Sequence, residues 1–260
     1  SDYAGNVSTA VYTVLIDTTG SFAYPLPPGC AEQKNVRKDG ISAFTTIQAA
    51  LNAVPSSLGA TTCVVIRDTQ TYSEQVTIQN FTNNGYRIQI MSDPSFVSSA
   101  PVVSPPANST AAFQIAQTSV SVLGINIAPT TPMTYGVSAS SAYITLSSVN
   151  VQDAGGNSSF AGVSLSSWNV VSYSSMTIGG TNTSGFYLPG STKTTVSYST
   201  AQVNSASGYA LYLNGASSNT ITGIFASNPA GTAAMLDLAA NYNTIAQSTI
   251  TTIATLRTMP

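Results

Sequence analysis

The sequence predicts an all-β fold, a single-stranded parallel β-helix (solenoid) with coils of about 24 residues behind a short N-terminal capping helix. Three observations carry that expectation. Gly136, Gly162, Gly185, Gly208 and Gly231 recur every 23 to 26 residues. Two families of short alternating stretches recur with them. Charge is segregated: of the seven Lys plus Arg and nine Asp plus Glu, twelve precede Pro94, and only Asp153, Lys193, Asp237 and Arg257 follow it. A charged N-terminal region thus gives way to a repetitive one.

Taken in chain order, the stretch DYAGNVSTAVYTVLIDTTG from Asp2 resembles the last strand and exit linker of bacterial immunoglobulin-like repeats, which end in AGN, an alternating strand and a D-T-T linker. That resemblance covers residues 1–20 and implies a long, multidomain bacterial surface protein. An extended, edge-pairing arm is the competing reading. Residues 21–260 are assigned to the β-helix. In DGISAFTTIQAALNAVP, from Asp39, the residues Phe44, Ile47, Leu51 and Val54 fall at helical spacing and Pro55 stops the run. This predicts a helix over about 43–54 that covers the end of the solenoid core. The stretches from Cys63 to Ile78 and Tyr86 to Pro94 then read as strands of the first coils.

Six coils are readable over about 111–252. One set of stretches aligns as AFQI (from Ala112), GVSA (Gly136), GVSL (Gly162), GFYL (Gly185), ALYL (Ala210) and MLDL (Met235), apolar at the second and fourth positions. The other aligns as VSVLGINI (Val120), ITLSSVNV (Ile144), VSYSSMTI (Val171), VSYSTAQV (Val196), ITGIFASN (Ile221) and IAQSTITT (Ile245), always opening on Val or Ile. Apolar alternation at period two, bounded by Gly, Ser and Asn, is a strand pattern. A β-sandwich would need hairpin turns between opposed strands and is disfavoured. Asn169, Asn219 and Asn243 stand two residues ahead of the second set, where asparagines stacked coil on coil tolerate left-handed backbone and seal the corner.

The order D-G, F-x-T-I-Q-A-A-L-N-A-V-P, an apolar strand, T-Y-x-E-x-V-x-I and I-x-I, over Asp39 to Asp93, resembles the opening of the pectin-lyase-like superfamily of right-handed parallel β-helices, pectin methylesterases in particular. The resemblance implies a right-handed coil, a packed Tyr72, and Arg67 and Glu74 as charged turn residues. It also implies where catalysis would sit. Such esterases place an aspartate in a Q-D-T-like stretch after an A-V-A-L-like strand, with a second aspartate and an arginine in later coils. Here the counterpart strand is GVSL at Gly162, and SSWNVVSYSSMTIGG after it has no carboxylate.

Composition excludes further chemistries. Without histidine there is no Ser-His-Asp or Cys-His nucleophile system and no His-ligated metal, and two cysteines cannot build a four-cysteine zinc site. No cofactor or metal is expected. A net charge of −2 without a basic cluster argues against nucleic acid and anionic membrane, and no run of about 18 apolar residues offers a membrane span. Cys30 and Cys63 are either a disulfide or two buried free thiols. The Ser/Thr/Asn-rich, Lys-poor composition is that of a secreted or cell-surface protein.

Asp153, Lys193 and Asp237 are the catalytic candidates that remain, with solvated or turn roles as the plainer reading. The two carboxylates lie three to four coils apart, about 15 Å at about 4.8 Å per coil. That exceeds the separation of about 5 to 9.5 Å at which two carboxylates cooperate on a glycosidic bond. The outward column of the first set reads Gln114, Ser138, Ser164, Tyr187, Tyr212, Asp237, and the second set adds Tyr173 and Tyr198 one coil apart. Tyrosines stacked beside hydroxyls and a carboxylate form a platform for sugar rings, or else pack on one another to stabilise the sheet. Trp168 is expected at a corner, packed under a loop. An ice- or mineral-binding plane of Ser and Thr is disfavoured, because no outward column is uniformly threonine.

These features favour a non-catalytic β-helical segment of a large secreted or cell-surface protein, a stalk or an adhesive, glycan-contacting face. The alternative is a carbohydrate-active enzyme, a pectin esterase or polysaccharide lyase, acting on acidic polysaccharides. A polysaccharide or glycan is the expected partner. Only IATLRTMP follows the last coil, so an open C-terminal end is expected to invite self-association.

Overall fold

Strand pairing is parallel throughout the computed structural model, which describes residues 24–93, 95 and 99–252. The segment 1–20 and Arg257 lie outside the described residues. The chain winds through about seven turns of a right-handed solenoid, the sense that parallel crossovers almost always take. Each turn from Val76–Ile78 onward adds one strand to a seven-stranded sheet, whose later members are Ser109–Ile115, Met133–Ala139, Ser158–Leu165, Ser184–Pro189, Tyr209–Asn214 and Thr232–Asp237. The rest of each turn joins a fifteen-stranded sheet. There the long strand Thr145–Asp153 gives way in later coils to pairs of short strands, such as Val170–Ser172 and Ser175–Gly179.

The core is a set of inward columns, one residue per coil. Phe113, Val137, Val163, Phe186 and Leu211 stack from one sheet, and Val122, Leu146, Val171, Val196 and Ile221 from the other, all fully buried. Two registers differ from the sequence alignment, each by two residues. Val171 pairs with Leu146 rather than Ile144, and in the last coil Tyr212 pairs with Met235 rather than Asp237. A slip of two keeps every side chain on its own face, so apolar alternation could not detect it.

The recurrent glycines also divide into two columns. Gly136, Gly162 and Gly185 are in register and continue in Ala210, while Gly208 and Gly231 lie two residues earlier in their coils. A Cβ at Gly136 would stand 2.5 Å from the Gly162 carbonyl oxygen, so close coil-to-coil approach accounts for the residue.

Corners are sealed by side chains bonding one coil up. The backbone N–H groups of Ile144, Asn169, Thr194 and Asn219 donate to Asn169 Oδ1 (2.9 Å), Thr194 Oγ1 (3.2 Å), Asn219 Oδ1 (2.8 Å) and Asn243 Oδ1 (3.0 Å). Thr194 fills the place in the asparagine stack that has no asparagine. A second ladder runs from the Val149 and Ser174 N–H groups to the hydroxyls of Ser174 and Ser199, each 3.1 Å away.

The capping helix spans Ile47–Asn52, shorter than expected. Thr46 is extended and its hydroxyl accepts the Ala49 N–H, which fixes the start, and Ala53 ends it ahead of Pro55. Ile47, Ala50 and Leu51 are its buried face. A strand absent from the sequence reading, Glu32–Val36, extends the larger sheet beyond Thr62–Ile66. Its polar sequence EQKNV hid it, as charge often marks an edge strand.

The two residues expected as charged turn residues, Arg67 and Glu74, each hold neighbouring segments together. Arg67 is buried and pairs with Asp93, and it also donates to Asn35 Oδ1 (3.0 Å) and Gln33 Oε1 (2.8 Å) under the Tyr24 ring. Burial pulls its pKa down, with Asp93 opposing. Glu74 caps the helix, its carboxylate accepting the N–H groups of Ile47 and Gln48 at 2.8 Å. Burial raises its pKa against those two bonds. Tyr72 is fully buried. Cys30 and Cys63 are joined as a disulfide, Cα to Cα 5.7 Å, which ties the segment ahead of Glu32–Val36 to the next strand of the sheet.

Candidate functional site

The outward column of the seven-stranded sheet reads Gln114, Ser138, Ser164, Tyr187, Tyr212, Met235. Aromatic rings extend it into a continuous line. Tyr135 meets Phe160 edge-on (centroids 5.6 Å), Phe160 meets Tyr187 edge-on (4.9 Å), and Tyr187 and Tyr212 lie tilted 5.3 Å apart, with Tyr209 4.7 Å from Tyr212. Four successive coils therefore present rings at roughly the coil spacing of about 4.8 Å.

Tyr135 and Phe160 were missed by the sequence alignment, whose stretches began at Gly136 and Gly162, one and two residues further on. Phe160 also lies where the register shifts between Ser158 and Ala161, a bulge that turns its ring outward beside Tyr187. The signal available was the aromatic residue one or two places ahead of Gly136 and Gly162.

Asp237 pairs with Asn214, one column beyond its expected place, yet it still meets the ladder. The Tyr212 hydroxyl donates to Asp237 Oδ2 (3.4 Å) and accepts from Asn214 Nδ2 (2.8 Å). Burial and then the Asp237 charge raise the Tyr212 pKa, and burial and then Tyr135 raise that of Tyr187. Both phenols therefore stay protonated as donors at neutral pH. The edge-on and tilted rings leave partial faces and hydroxyls outward, a surface suited to the C–H faces and hydroxyls of a sugar.

Tyr173 and Tyr198 lie elsewhere, at the corner between the two short strands of their coils. Their rings stack 5.4 Å apart with 13° between planes, and they are 63% and 58% exposed. Both residues are left-handed, and Gly223 in the next coil leaves the space that the Tyr198 ring crosses. Trp168 is not under a loop. It is 43% exposed at a left-handed corner, with Tyr143 6.0 Å away on one side and the Lys193 ammonium 4.2 Å over its ring on the other.

The three charged candidates do not converge. Asp153 is buried at the end of Thr145–Asp153 and accepts the N–H groups of Asn157 and Ser158, which shapes a turn. Lys193 is committed to Trp168 at a corner, and only Asp237 reaches an aromatic candidate. Among the described residues no three Cys, Asp or Glu side chains gather as a cation's ligands would, and no helix is long and apolar enough to cross a membrane.

Fold and surface together define a parallel β-helix protein with an aromatic ladder along one sheet. Among solved structures it is similar to the pectin methylesterase of Aspergillus niger, with a TM-score of 0.44 and 11% identity over 87% of this chain and 87% of that one. No family model and no curated protein matches the chain.

Proposed function

We propose that this chain is a non-catalytic β-helical segment of a larger secreted or cell-surface protein and that its seven-stranded sheet is a glycan-contacting face. The observation that carries this reading is the unbroken line of rings from Tyr135 through Phe160 and Tyr187 to Tyr212, ending on the Asn214 amide and the Asp237 carboxylate. Rings give apolar contact and the polar end gives orientation, the usual division of labour in a sugar site. The Cys30–Cys63 bond fits an oxidising compartment, and the asparagine and serine ladders fit a rigid stalk. Self-association would use the last described coil, where Leu236, Leu238 and Ile250 are exposed.

The test is a glycan array probed with the purified chain beside its Tyr187→Ala and Tyr173→Ala variants. Binding that Tyr187→Ala weakens and Tyr173→Ala spares supports the ladder. Binding lost only with Tyr173→Ala moves the site to the corner pair. The alternative, an enzyme acting on acidic polysaccharides, draws on the Tyr212 to Asp237 contact. Turnover of pectin or polygalacturonate that Asp237→Ala abolishes would replace the non-catalytic reading.

A further inference from the structure

The aromatic ladder ends on a single charge, and the sign of that charge decides which glycans suit the sheet. Among the described residues, the strands of the seven-stranded sheet contain no lysine or arginine, and Asp237 is their one carboxylate. The outward column of Gln114, Ser138, Ser164, Tyr187, Tyr212 and Met235 is neutral throughout. Lys193 is the only described cation after Arg87. Its ammonium lies over the Trp168 ring at a corner, and the ion pairs among the described residues are Arg37 with Asp39 and Arg67 with Asp93. No described cation therefore neutralises Asp237.

That carboxylate is held from two sides. Oδ1 accepts the Leu238 N–H (2.7 Å), and Oδ2 accepts the Tyr212 hydroxyl (3.4 Å), which in turn accepts from Asn214 Nδ2 (2.8 Å). An ionised carboxylate only accepts, and each of its oxygens keeps lone-pair capacity beyond these bonds. The group that completes it is a hydroxyl donor, which a neutral sugar carries on adjacent ring carbons.

An acidic sugar meets the opposite conditions. Its carboxylate or sulfate has no proton to give at neutral pH, and beside Asp237 it faces like charge. A sugar lying against the Tyr187 and Tyr212 rings also excludes the water that would screen the two charges, which strengthens the repulsion. Carboxylates and sulfates are held by charge-assisted bonds from arginine or lysine. An acidic glycan laid along the rings of Tyr135, Phe160, Tyr187 and Tyr212 would carry such a group on each sugar, and the strands beneath offer no cation to any of them.

We infer that the ladder selects glycans whose sugars carry hydroxyls and no acidic group, an inference that rests on the glycan-contacting reading of this sheet. The test is an array of matched oligomers of glucose, mannose and galactose, each in its neutral form and oxidised at the primary alcohol to the uronate. It is probed with the whole wild-type chain and with Tyr187→Ala and Asp237→Asn, both checked for native circular dichroism. The neutral member of a bound pair should bind roughly ten-fold more tightly than the acidic one. Tyr187→Ala should weaken that binding, and Asp237→Asn should remove most of the preference. Should Asp237→Asn fail to fold, salt reads the same charge in the wild-type chain, and the preference should shrink between low salt and about 1 M. Acidic members bound as well as neutral ones, in a manner that Tyr187→Ala weakens, would overturn the selection and leave the glycan face standing. A preference that both Asp237→Asn and salt leave unchanged would overturn the role of the carboxylate. Absence of any binding that Tyr187→Ala weakens would overturn the glycan face itself, and this inference with it.

Discussion

Replacing Asn219 by leucine, close to it in volume, tests what holds the coils in register. The Asn219 side chain is almost wholly buried and makes four bonds: Oδ1 accepts from the Thr194 N–H (2.8 Å) and the Ser191 hydroxyl (3.1 Å), and Nδ2 donates to the Ser191 carbonyl (2.9 Å) and Asn243 Oδ1 (2.9 Å). Leucine leaves two groups, the Thr194 N–H and the Ser191 hydroxyl, without a partner where both residues are inaccessible to water, while the Ser191 carbonyl keeps the Ser217 N–H at 2.9 Å. At about 1–3 kcal/mol for each orphaned group, less the gain from burying an apolar side chain, the net cost is about 3 kcal/mol. Urea unfolding followed by circular dichroism reads this as a lower midpoint at unchanged slope. Asn243→Leu, in the last and more exposed coil, should cost less than half as much. A change below about 0.5 kcal/mol at Asn219 would refute the reasoning, because that is the size of a surface substitution with no structural role.

Other outcomes follow from the charged N-terminal region and from the ladder. Replacing Cys30 and Cys63 together by alanine releases a link spanning a sequence separation of 33, which the chain-entropy relation sets at about 3.7 kcal/mol and denaturant titration measures. Arg67→Met strands Asp93 in a buried site and should cost about 3–5 kcal/mol, of which the double variant with Asp93→Leu recovers a large part. The Tyr187 and Tyr212 pKa values are raised on folding, so their contribution to stability is complete below the unfolded phenol value of about 10 and is lost as pH rises through the folded one. Asp237→Asn should bring the Tyr212 ionisation back toward the ordinary range in an ultraviolet titration, and an unchanged curve would detach that carboxylate from the phenol.

Period and face were legible in the sequence, and register was not. Phe186, Leu188, Leu211 and Leu213 announce an inward row because alternation is a local property of the chain. Whether Met235 or Asp237 stands beside Tyr212 is a relation between coils, and a slip of two residues costs nothing in hydrophobic pattern. The same slip hid which outward residues are neighbours, since Thr145 is brought beside Val170 and Thr195 only when Leu146 faces Val171. Tyr187 and Tyr212 were visible as neighbours by their spacing, whereas Phe160 depends on a bulge, which leaves no periodic trace. The Arg67 and Asp93 pair was hidden for a related reason: partners 26 residues apart meet only when the length of the intervening coil is known.

The account rests on the aromatic ladder being a surface that glycans touch. Calorimetric titration with the best oligosaccharide from an array, against the wild-type chain and a Tyr187→Ala/Tyr212→Ala variant, measures this directly. Two rings worth about 0.5–1.5 kcal/mol each predict an affinity roughly 5- to 150-fold weaker in the variant. Equal affinity in a variant that retains the wild-type circular dichroism spectrum would contradict the assignment of that sheet as the binding face.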